Sequence, residues 1–213
     1  MIRPSGGRGE GGSYSFVRSI PQCFLEYKSH KLDEPKGSYV NFTDYRSEYF
    51  PLYSEFASVV SGILEEAMKA NNARAQVWEF QSRAKSHRSL ERKLVERGLL
   101  ASDTIEQEIK DLSGTRIIFY SNDDVDWFLR SSIISDNFEV DWDQSKIHYS
   151  IGEAADVRDL YRAHHYMVSL NEIRLKLPEY GRFSGLRCEV QIQTILNHAW
   201  SETGHEAYHH ACN

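Results

Sequence analysis

The chain has 213 residues and a formal net charge of −6, with 40% hydrophobic and 26% charged residues. This composition predicts an ordinary soluble domain. It argues against electrostatic binding of DNA or RNA over a broad surface, although not against a local basic site. It contains neither an apolar run of the roughly 20 residues that cross a bilayer nor a secretory signal. Cys23, Cys188 and Cys212 lie far apart, so we expect free thiols in a reducing cytoplasm.

The first part of the sequence predicts a tail and then a helical region. Residues 1–20 are expected to be disordered, because the first fifteen are rich in Gly, Ser and Arg and nearly free of bulky apolar groups. Residues 21–213 are expected to form a single domain. Residues 42–70 carry apolar side chains at helical spacing, which predicts one long helix or two, with Pro51 at a break or in a first turn.

Strand-like and helix-like segments then alternate along the chain. Val77, Trp78 and Phe80 favour a strand at 76–83, and the spacing of apolar residues before Gly98 favours a helix at 86–98. The further predicted elements are a helix at 104–110, a strand at 115–120, a helix from 121 to 131, strands at 138–142, 164–170, 173–177 and 186–193, and a helix at 194–209. This succession predicts an α/β or α+β domain with a mixed sheet.

A basic segment marks the junction of the first strand and its helix. Between Arg83 and Arg97, six Lys or Arg stand against two Glu, a local charge of +4. Arg83 and Lys85 share a strand face, while Ser89 and Lys93 share a helix face. Basic groups that converge at a helix N-terminus suit a polyphosphate, because the helix end adds N–H donors and a favourable dipole. The alternative is a solvated basic helix face.

Two acids occupy strand positions where a carboxylate needs a partner. Asp111 precedes Gly114 and an apolar strand that contains Arg116, and Glu189 lies in another apolar run, with Gln191 on the same face. Mg²⁺ is typically held by one or two carboxylates together with substrate phosphates, so Asp111 is a candidate ligand. Glu189 is predicted to pair with a metal, an Arg or a substrate. The alternative for Asp111 is a turn residue, and for Arg116 a buried ion pair.

Aromatic and histidine side chains add two further candidates. Tyr161 could stack on a purine and His165 could hydrogen-bond a phosphate or ribose, although such residues are more often structural. Near the end of the sequence, His205 to His209 match the H-E-x-x-H zinc pattern. A zinc hydrolase is the least favoured alternative, because no upstream motif supplies a third ligand.

The order of these motifs resembles the RelA/SpoT alarmone synthetase domain over about residues 42–205. The resemblance implies a nucleotidyltransferase-like mixed β-sheet flanked by helices, in a small stand-alone synthetase or a fragment cut close to the last motif. It also implies a cytoplasmic pyrophosphokinase, which moves the β,γ-pyrophosphate of ATP to the ribose 3′-OH of GDP or GTP and makes (p)ppGpp.

The resemblance further implies a role for individual residues. Asp111 and Glu189 would bind Mg²⁺, and Glu189 would help to deprotonate the attacking 3′-OH. The residues implied to bind ATP are Arg83 and Arg116 at the adenine and Lys85, Ser89 and Lys93 at the phosphates. Those implied at the acceptor are Tyr161, stacked on the guanine, with His165, Gln191 and Asn197 nearby.

Departures from the family pattern concentrate at the acceptor. Asp159-Leu160 stands where the family usually has Asn-Gly, and the polar loop 150–159 has Arg158 as its single Lys or Arg. Gln193 replaces an Arg, and His209-His210 replaces Tyr-Lys. The acceptor therefore stays open, since toxic members of the family pyrophosphorylate adenosine nucleotides or the tRNA 3′ end.

A non-catalytic relative that senses nucleotides or acts like an antitoxin is another alternative. The two candidate metal carboxylates, Asp111 and Glu189, disfavour it. As partners we expect ATP with GDP, GTP or another 3′-OH acceptor, which includes tRNA, and either a homo-oligomer or an antitoxin. No membrane association is expected.

Overall fold

The computed structural model describes residues 40–71, 74–149 and 162–210, without the side chains of 147–149, 162 and 204–210. All of these residues belong to one compact unit. The tail predicted at 1–20, the polar loop at 150–159 and Tyr161 lie outside the described residues. In chain order the elements are α1 (Phe42–Asp44), a π-helical turn (Tyr45–Tyr49), α2 (Phe50–Ala70), β1 (Val77–Ala84), α3 (His87–Arg97), α4 (Ile105–Glu108), β2 (Ser113–Phe119), α5 (Asn122–Arg130), α6 (Ile133–Asn137), β3 (Phe138–Tyr149), β4 (Arg162–Leu170), α7 (Glu172–Leu175), a 3₁₀ turn (Gly181–Phe183), β5 (Cys188–Thr194) and α8 (Ile195–His210).

The five strands form one mixed sheet in the order β1-β2-β5-β4-β3. Strands β2 and β5 are parallel, and the other three pairings are antiparallel. The predicted fold class, a mixed sheet flanked by helices, is therefore confirmed. The connection from β2 to its parallel neighbour β5 runs through β3 and β4, so residues far apart in sequence become neighbours at the sheet centre.

Helix α2 covers one face of the sheet. Its buried face includes Tyr53, Phe56 and Val60, and its proline lies in the first turn, where the missing N–H costs no helical bond. Two β2 hydroxyls donate to α2 carbonyls: Ser113 Oγ to Tyr53 O at 3.1 Å and Thr115 Oγ1 to Ala57 O at 2.9 Å. These bonds keep odd-numbered β2 residues towards α2, so Gly114 and Arg116 project from the other face.

The other face carries two rows of paired residues that cross the whole sheet. Residues opposite one another on neighbouring strands project to the same side, so each row forms a line of adjacent side chains. From β1 to β3 the first row is Gln81, Arg116, Gln191, His165 and Lys146, and the second is Arg83, Gly114, Glu189, Met167 and Asp141. All five residues of the first row are polar, and in the second row Gly114 places no side chain between Arg83 and Glu189.

Most of the predicted elements occur within a few residues of their expected ends, but one assignment is wrong. Residues 173–177, predicted as a strand, contain the last residues of helix α7 and a turn. Asn171 explains the difference, because its side chain accepts from Arg174 N at 3.0 Å and so caps a helix start. Strand β3 also continues far beyond the predicted end at residue 142, with an irregular register between Asp141 and Lys146.

Candidate active site

A cavity opens on the polar face of the sheet, where β1, β2 and β5 meet the N-terminus of α3. Residues of both rows form its floor, and the β1–α3 junction forms one side. The predicted site residues that line it are Arg83, Lys85, Ser89, Asp111, Arg116, Glu189 and Gln191. The structure therefore brings together residues from three separate sequence motifs.

Local contacts at the start of α3 aim its N-terminus at this cavity. The Ser86 hydroxyl accepts from Ser89 N at 3.3 Å and donates to the Ser89 hydroxyl at 2.9 Å, which caps the helix. Leu90 and Leu94 are fully buried and anchor α3 to the core. Gly98 ends the helix in the left-handed conformation, with φ of 69°. The free N–H groups of the first turn thus face a site that favours an anion.

Asp111 is clamped by two lysines at the β1–α3 side of the cavity. Lys85 Nζ lies 2.6 Å from Oδ2 and Lys93 Nζ lies 2.8 Å from Oδ1, so each carboxylate oxygen has its own cation. Burial acts to raise the pKa of Asp111, but the two ammonium groups outweigh it and hold the pKa below its usual value. Tyr45 fixes the backbone here, because its hydroxyl donates to Lys85 O at 2.7 Å.

Among the described residues, Glu189 is held by an imidazole and an amide, whereas Asp111 is held by two lysines. His165 Nδ1 lies 3.1 Å from Oε1, and Gln191 Nε2 donates to Oε2 at 2.8 Å. Burial acts to raise the pKa of Glu189, and the charge of Asp111 adds a smaller upward contribution, but the bonds from His165 and Gln191 leave the pKa below its usual value. Glu189 is therefore ionised at neutral pH, and its pKa responds to the negative charge of Asp111.

Arg116 connects the cavity floor to helix α8. Its Nε donates to Gln191 Oε1 at 3.1 Å, and its Nη1 lies 2.9 Å from Glu202 Oε1 and 3.0 Å from His198 Nδ1. Gln191 thus accepts from Arg116 with its oxygen and donates to Glu189 with its nitrogen. A continuous hydrogen-bonded chain therefore runs across the sheet from α8 to Glu189.

The other predicted site residues differ in their relation to the cavity. Lys93 and His165 are not among the lining residues of the cavity, but they contact the lining residues Asp111 and Glu189, respectively. Asn197 lies in the first turn of α8, where its backbone N–H donates to Thr194 Oγ1 at 3.3 Å, and only 2% of the residue is exposed. It is not among the lining residues, and its predicted contact with the acceptor remains a prediction. Tyr161 lies outside the described residues.

Lys146 is a candidate that the sequence analysis missed. It pairs with His165 across β3 and β4, so it extends the polar row of Arg116 and Gln191 by one strand. The residue is exposed. Prediction ended this strand at 142, which left Lys146 unassigned. Its position three to four residues before the polar loop was a signal, but the irregular register of β3 hides which face it occupies.

The carboxylate oxygens of the cavity suit a hard cation that also coordinates the phosphates of a substrate. No group of three or more His, Cys, Asp or Glu that could hold a metal occurs among the residues that the structure describes. Asp111 and Glu189 both line the cavity, and two carboxylates with substrate phosphates and water are the usual ligands of Mg²⁺. His205 and His209, the pair of the least favoured zinc alternative, lie on α8, in the part whose side chains are not described.

No described helix combines the length and apolar character that crossing a bilayer requires. Cys188 is a buried free thiol, and burial raises its pKa to about 11. Its Sγ lies 3.6 Å from Thr115 Oγ1, under the sheet centre and away from the polar rows. The thiol is therefore a packing group rather than a nucleophile.

Comparison with known proteins agrees with the family resemblance and the fold. Residues 82–211 match the family model described as the region found in RelA / SpoT proteins. No curated protein matches the chain. The small alarmone synthetase 1 from Bacillus subtilis has 17% identity and a TM-score of 0.59, and the match covers 80% of this chain and 82% of that one.

Two further structures of that Bacillus subtilis enzyme contain nucleotides. The one bound to its product pppGpp has 18% identity and a TM-score of 0.57, with coverage of 80% and 83%. The one bound to AMPCPP has 17% identity and a TM-score of 0.54, with coverage of 80% and 81%. At such identities the likeness concerns the fold.

Proposed function

The chain belongs to the RelA/SpoT family, and we propose that it transfers the β,γ-pyrophosphate of ATP to the ribose 3′-OH of GDP or GTP. The observation that carries this proposal is the placement of Asp111 and Glu189 on one cavity. Asp111 has two cations beside it, and the ionised Glu189 has an imidazole and an amide as its partners in the described part of the chain. A polyphosphate donor needs the first environment, and an attacking hydroxyl needs the second.

The α3 side of the cavity suits the ATP phosphates. Lys85 and Lys93 can exchange their contacts with Asp111 for contacts with phosphate oxygens, and the Ser89 hydroxyl lies at the helix N-terminus beside them. Arg83 and Arg116 line the same cavity and offer planar guanidinium groups on which an adenine can stack. These five residues are the ones that the family resemblance implies for ATP.

Asp111 and Glu189 would also hold Mg²⁺, which when bound neutralises the charge that develops on the phosphates during transfer. Lys85 and Lys93 would then move from Asp111 to the phosphates. Mg²⁺ would take their place beside Asp111, so neither the carboxylate nor the phosphates would lack a cation. This exchange requires no large rearrangement, since Lys85 and Lys93 already lie on the side of the cavity that is proposed for the phosphates.

Glu189 is the proposed acceptor of the hydroxyl proton. A bond forms between the ribose 3′ oxygen and the β-phosphorus as the bond from the β-phosphorus to the oxygen of the α-phosphate breaks, and AMP leaves with that oxygen. The hydroxyl proton passes to the Glu189 carboxylate. Gln191 and His165 orient this carboxylate through one bond to each oxygen.

The acceptor is proposed to lie along the first polar row, towards β4 and β3. Lys146 supplies an exposed cation beside His165, on the side of Glu189 away from the ATP lysines. It can contribute positive charge that the loop at 150–159 lacks. Stacking of the base on Tyr161 is carried from the family resemblance, as is the use of a guanosine nucleotide by this chain.

A transfer assay with several acceptors tests the proposal. The protein is incubated with Mg²⁺ and γ-labelled ATP in the presence of GDP, GTP, ATP or tRNA, beside the variants Glu189→Gln and Glu91→Gln. Glu91 is exposed on α3 and does not line the cavity, so it controls for the loss of one carboxylate. We expect label in the guanosine nucleotide for wild type and Glu91→Gln. Label only in a 3′-pyrophosphorylated adenosine nucleotide or in tRNA would identify a different acceptor, and label in no acceptor would refute transferase activity.

A further inference from the structure

Besides its bond to Gln191, the guanidinium of Arg116 contacts two groups that the proposed reaction does not use. Its Nη1 is shared by Glu202 at 2.9 Å and His198 at 3.0 Å, both on helix α8. Only 15% of the Arg116 side chain is exposed, whereas 56% of the Glu202 side chain is. Since Arg116 lines the cavity, these α8 residues determine where its planar group stands.

The chemistry of arginine determines the state of His198. A guanidinium has donors and no acceptor, so the contact at 3.0 Å requires His198 Nδ1 to accept. The imidazole is therefore neutral in this arrangement and carries its proton on Nε2. Gln193, which is 3% exposed, places its amide 3.3 Å from the same Nδ1 and adds no charge beside Arg116.

The charged groups around His198 come from three elements. They are Arg116 on β2, Glu202 on α8, and Glu79 and Arg83 on β1. Burial and then the charge of Arg116 lower the pKa of His198, and Glu202 and Glu79 oppose this shift. A proton on Nδ1 would remove the acceptor, place a cation against Arg116 and compete for Glu202, which already lies 3.9 Å from Nδ1.

We propose that His198 is a positioning residue, which holds Arg116 against the cavity for the nucleotide base only while its own ring is neutral. This inference rests on the proposed function, because it assigns Arg116 to the base of ATP. It predicts that nucleotide affinity falls as the pH decreases, through a group that does not contact the nucleotide. Transfer itself, measured at saturating ATP, would change less than the KM for ATP.

Two substitutions of His198 separate its role as a hydrogen-bond acceptor from its change of charge with pH. In His198→Asn, the amide oxygen can take the place of Nδ1 as acceptor without binding a proton in this range. In His198→Leu, the acceptor is lost. Affinity for AMPCPP with Mg²⁺ is measured by calorimetry between about pH 5.5 and pH 8, where an imidazole changes charge. The nucleotide phosphates also titrate in this range, so the readout is the difference between the wild-type and variant curves.

For wild type we expect affinity to fall about threefold more than for His198→Asn from the upper to the lower pH, because the lowered pKa of His198 leaves only part of the imidazole charged at the lower pH. At the upper pH, His198→Asn should bind within about threefold of wild type and His198→Leu about 10-fold more weakly. Identical pH curves for wild type and His198→Asn would overturn the proposal, as would wild-type affinity in a folded His198→Leu protein.

Glu202→Gln provides a second test that does not alter the histidine. Loss of the carboxylate removes a charge that raises the pKa of His198, so the fall in affinity should move to lower pH. An unchanged midpoint would count against His198 as the titrating group. Wild type that binds AMPCPP but labels no acceptor would refute the proposed transfer, while these binding curves would still decide the role of His198.

Discussion

The two carboxylates of the cavity differ in how their charge is balanced. Asp111 has one lysine Nζ on each oxygen, at 2.6 and 2.8 Å, whereas Glu189 has an imidazole nitrogen and an amide nitrogen at 3.1 and 2.8 Å. Permanent cations neutralise Asp111 and make a poor base of it. Glu189 keeps its negative charge and is held by hydrogen bonds from His165 and Gln191. One cavity can therefore bind a polyanion at one end and accept a proton at the other.

The largest expected effect is the loss of the proton acceptor. Glu189→Gln keeps the shape and the bond to Gln191 but cannot take a proton, so kcat should fall by about 10²–10⁴-fold. Affinity for AMPCPP in excess EDTA should stay within about threefold, because the lysine side of the cavity is unchanged and the proposed Mg²⁺ contact of Glu189 is not in use. Single-turnover transfer and calorimetric binding of AMPCPP measure the two quantities. A Glu189→Gln protein with wild-type kcat would show that another group accepts the proton.

Neutralising Asp111 should change the effect of Mg²⁺ on the affinity for ATP more than it changes the rate of proton transfer. Asp111→Asn removes the charge that engages Lys85 and Lys93, so ATP in excess EDTA should bind about 10-fold more tightly than it binds to wild type. The improvement in affinity on adding Mg²⁺ should shrink by a similar factor. ATP titrations with and without Mg²⁺ measure both, and an unchanged affinity in EDTA would mean that the lysines do not move to the phosphates.

Removing one lysine should weaken the ATP side of the cavity alone. Lys93→Met should raise the KM for ATP by about 10-fold, since a charge-assisted hydrogen bond contributes about 1.5–3 kcal/mol. Arg92→Met is the matched control, because Arg92 lies on the same helix but its side chain is 59% exposed and 3.9 Å from Glu96. Equal effects of the two substitutions would indicate a diffuse electrostatic contribution of α3 and no specific phosphate site.

A smaller effect is expected at the acceptor end. Lys146→Met should raise the KM for GDP or GTP by about threefold to 10-fold and leave the KM for ATP unchanged, because an exposed cation gains less than a half-buried one. Lys176→Met removes an exposed lysine after α7 and serves as the control. A selective increase in the KM for ATP would place Lys146 on the donor side instead.

The smallest expected effect concerns stability in acid. The pKa of Asp111 is lower in the folded protein than its unfolded value near 3.9, so its ion pairs contribute stability above about pH 4 that is lost as the pH falls through the folded value. Thermal unfolding of wild type should therefore lose a few degrees more than Asp111→Asn as the pH falls from about 6 to 3. Parallel curves would show that the lysine clamp contributes little to folding.

Part of this molecule follows from the sequence because the responsible signals are local. The helical spacing of apolar residues predicts α2 and α3, and the compact apolar run after Gly114 predicts β2. The order of spaced motifs indicates the family and hence the mixed sheet. The same local signals fail at residues 173–177, where alternation favours a strand but the Asn171 cap starts a helix.

The partners of the site residues could not be read from the sequence, because the sheet order decides them. Lys85 contacts Asp111 across 26 residues, and Arg116 contacts Glu202 across 86. Periodicity tells which residues share a face of one element but carries no information on which element lies next to it. The sequence motifs thus indicated which residues belong to the site. The strand order β1-β2-β5-β4-β3 placed Arg116, Gln191 and His165 in one row and added Lys146 to it.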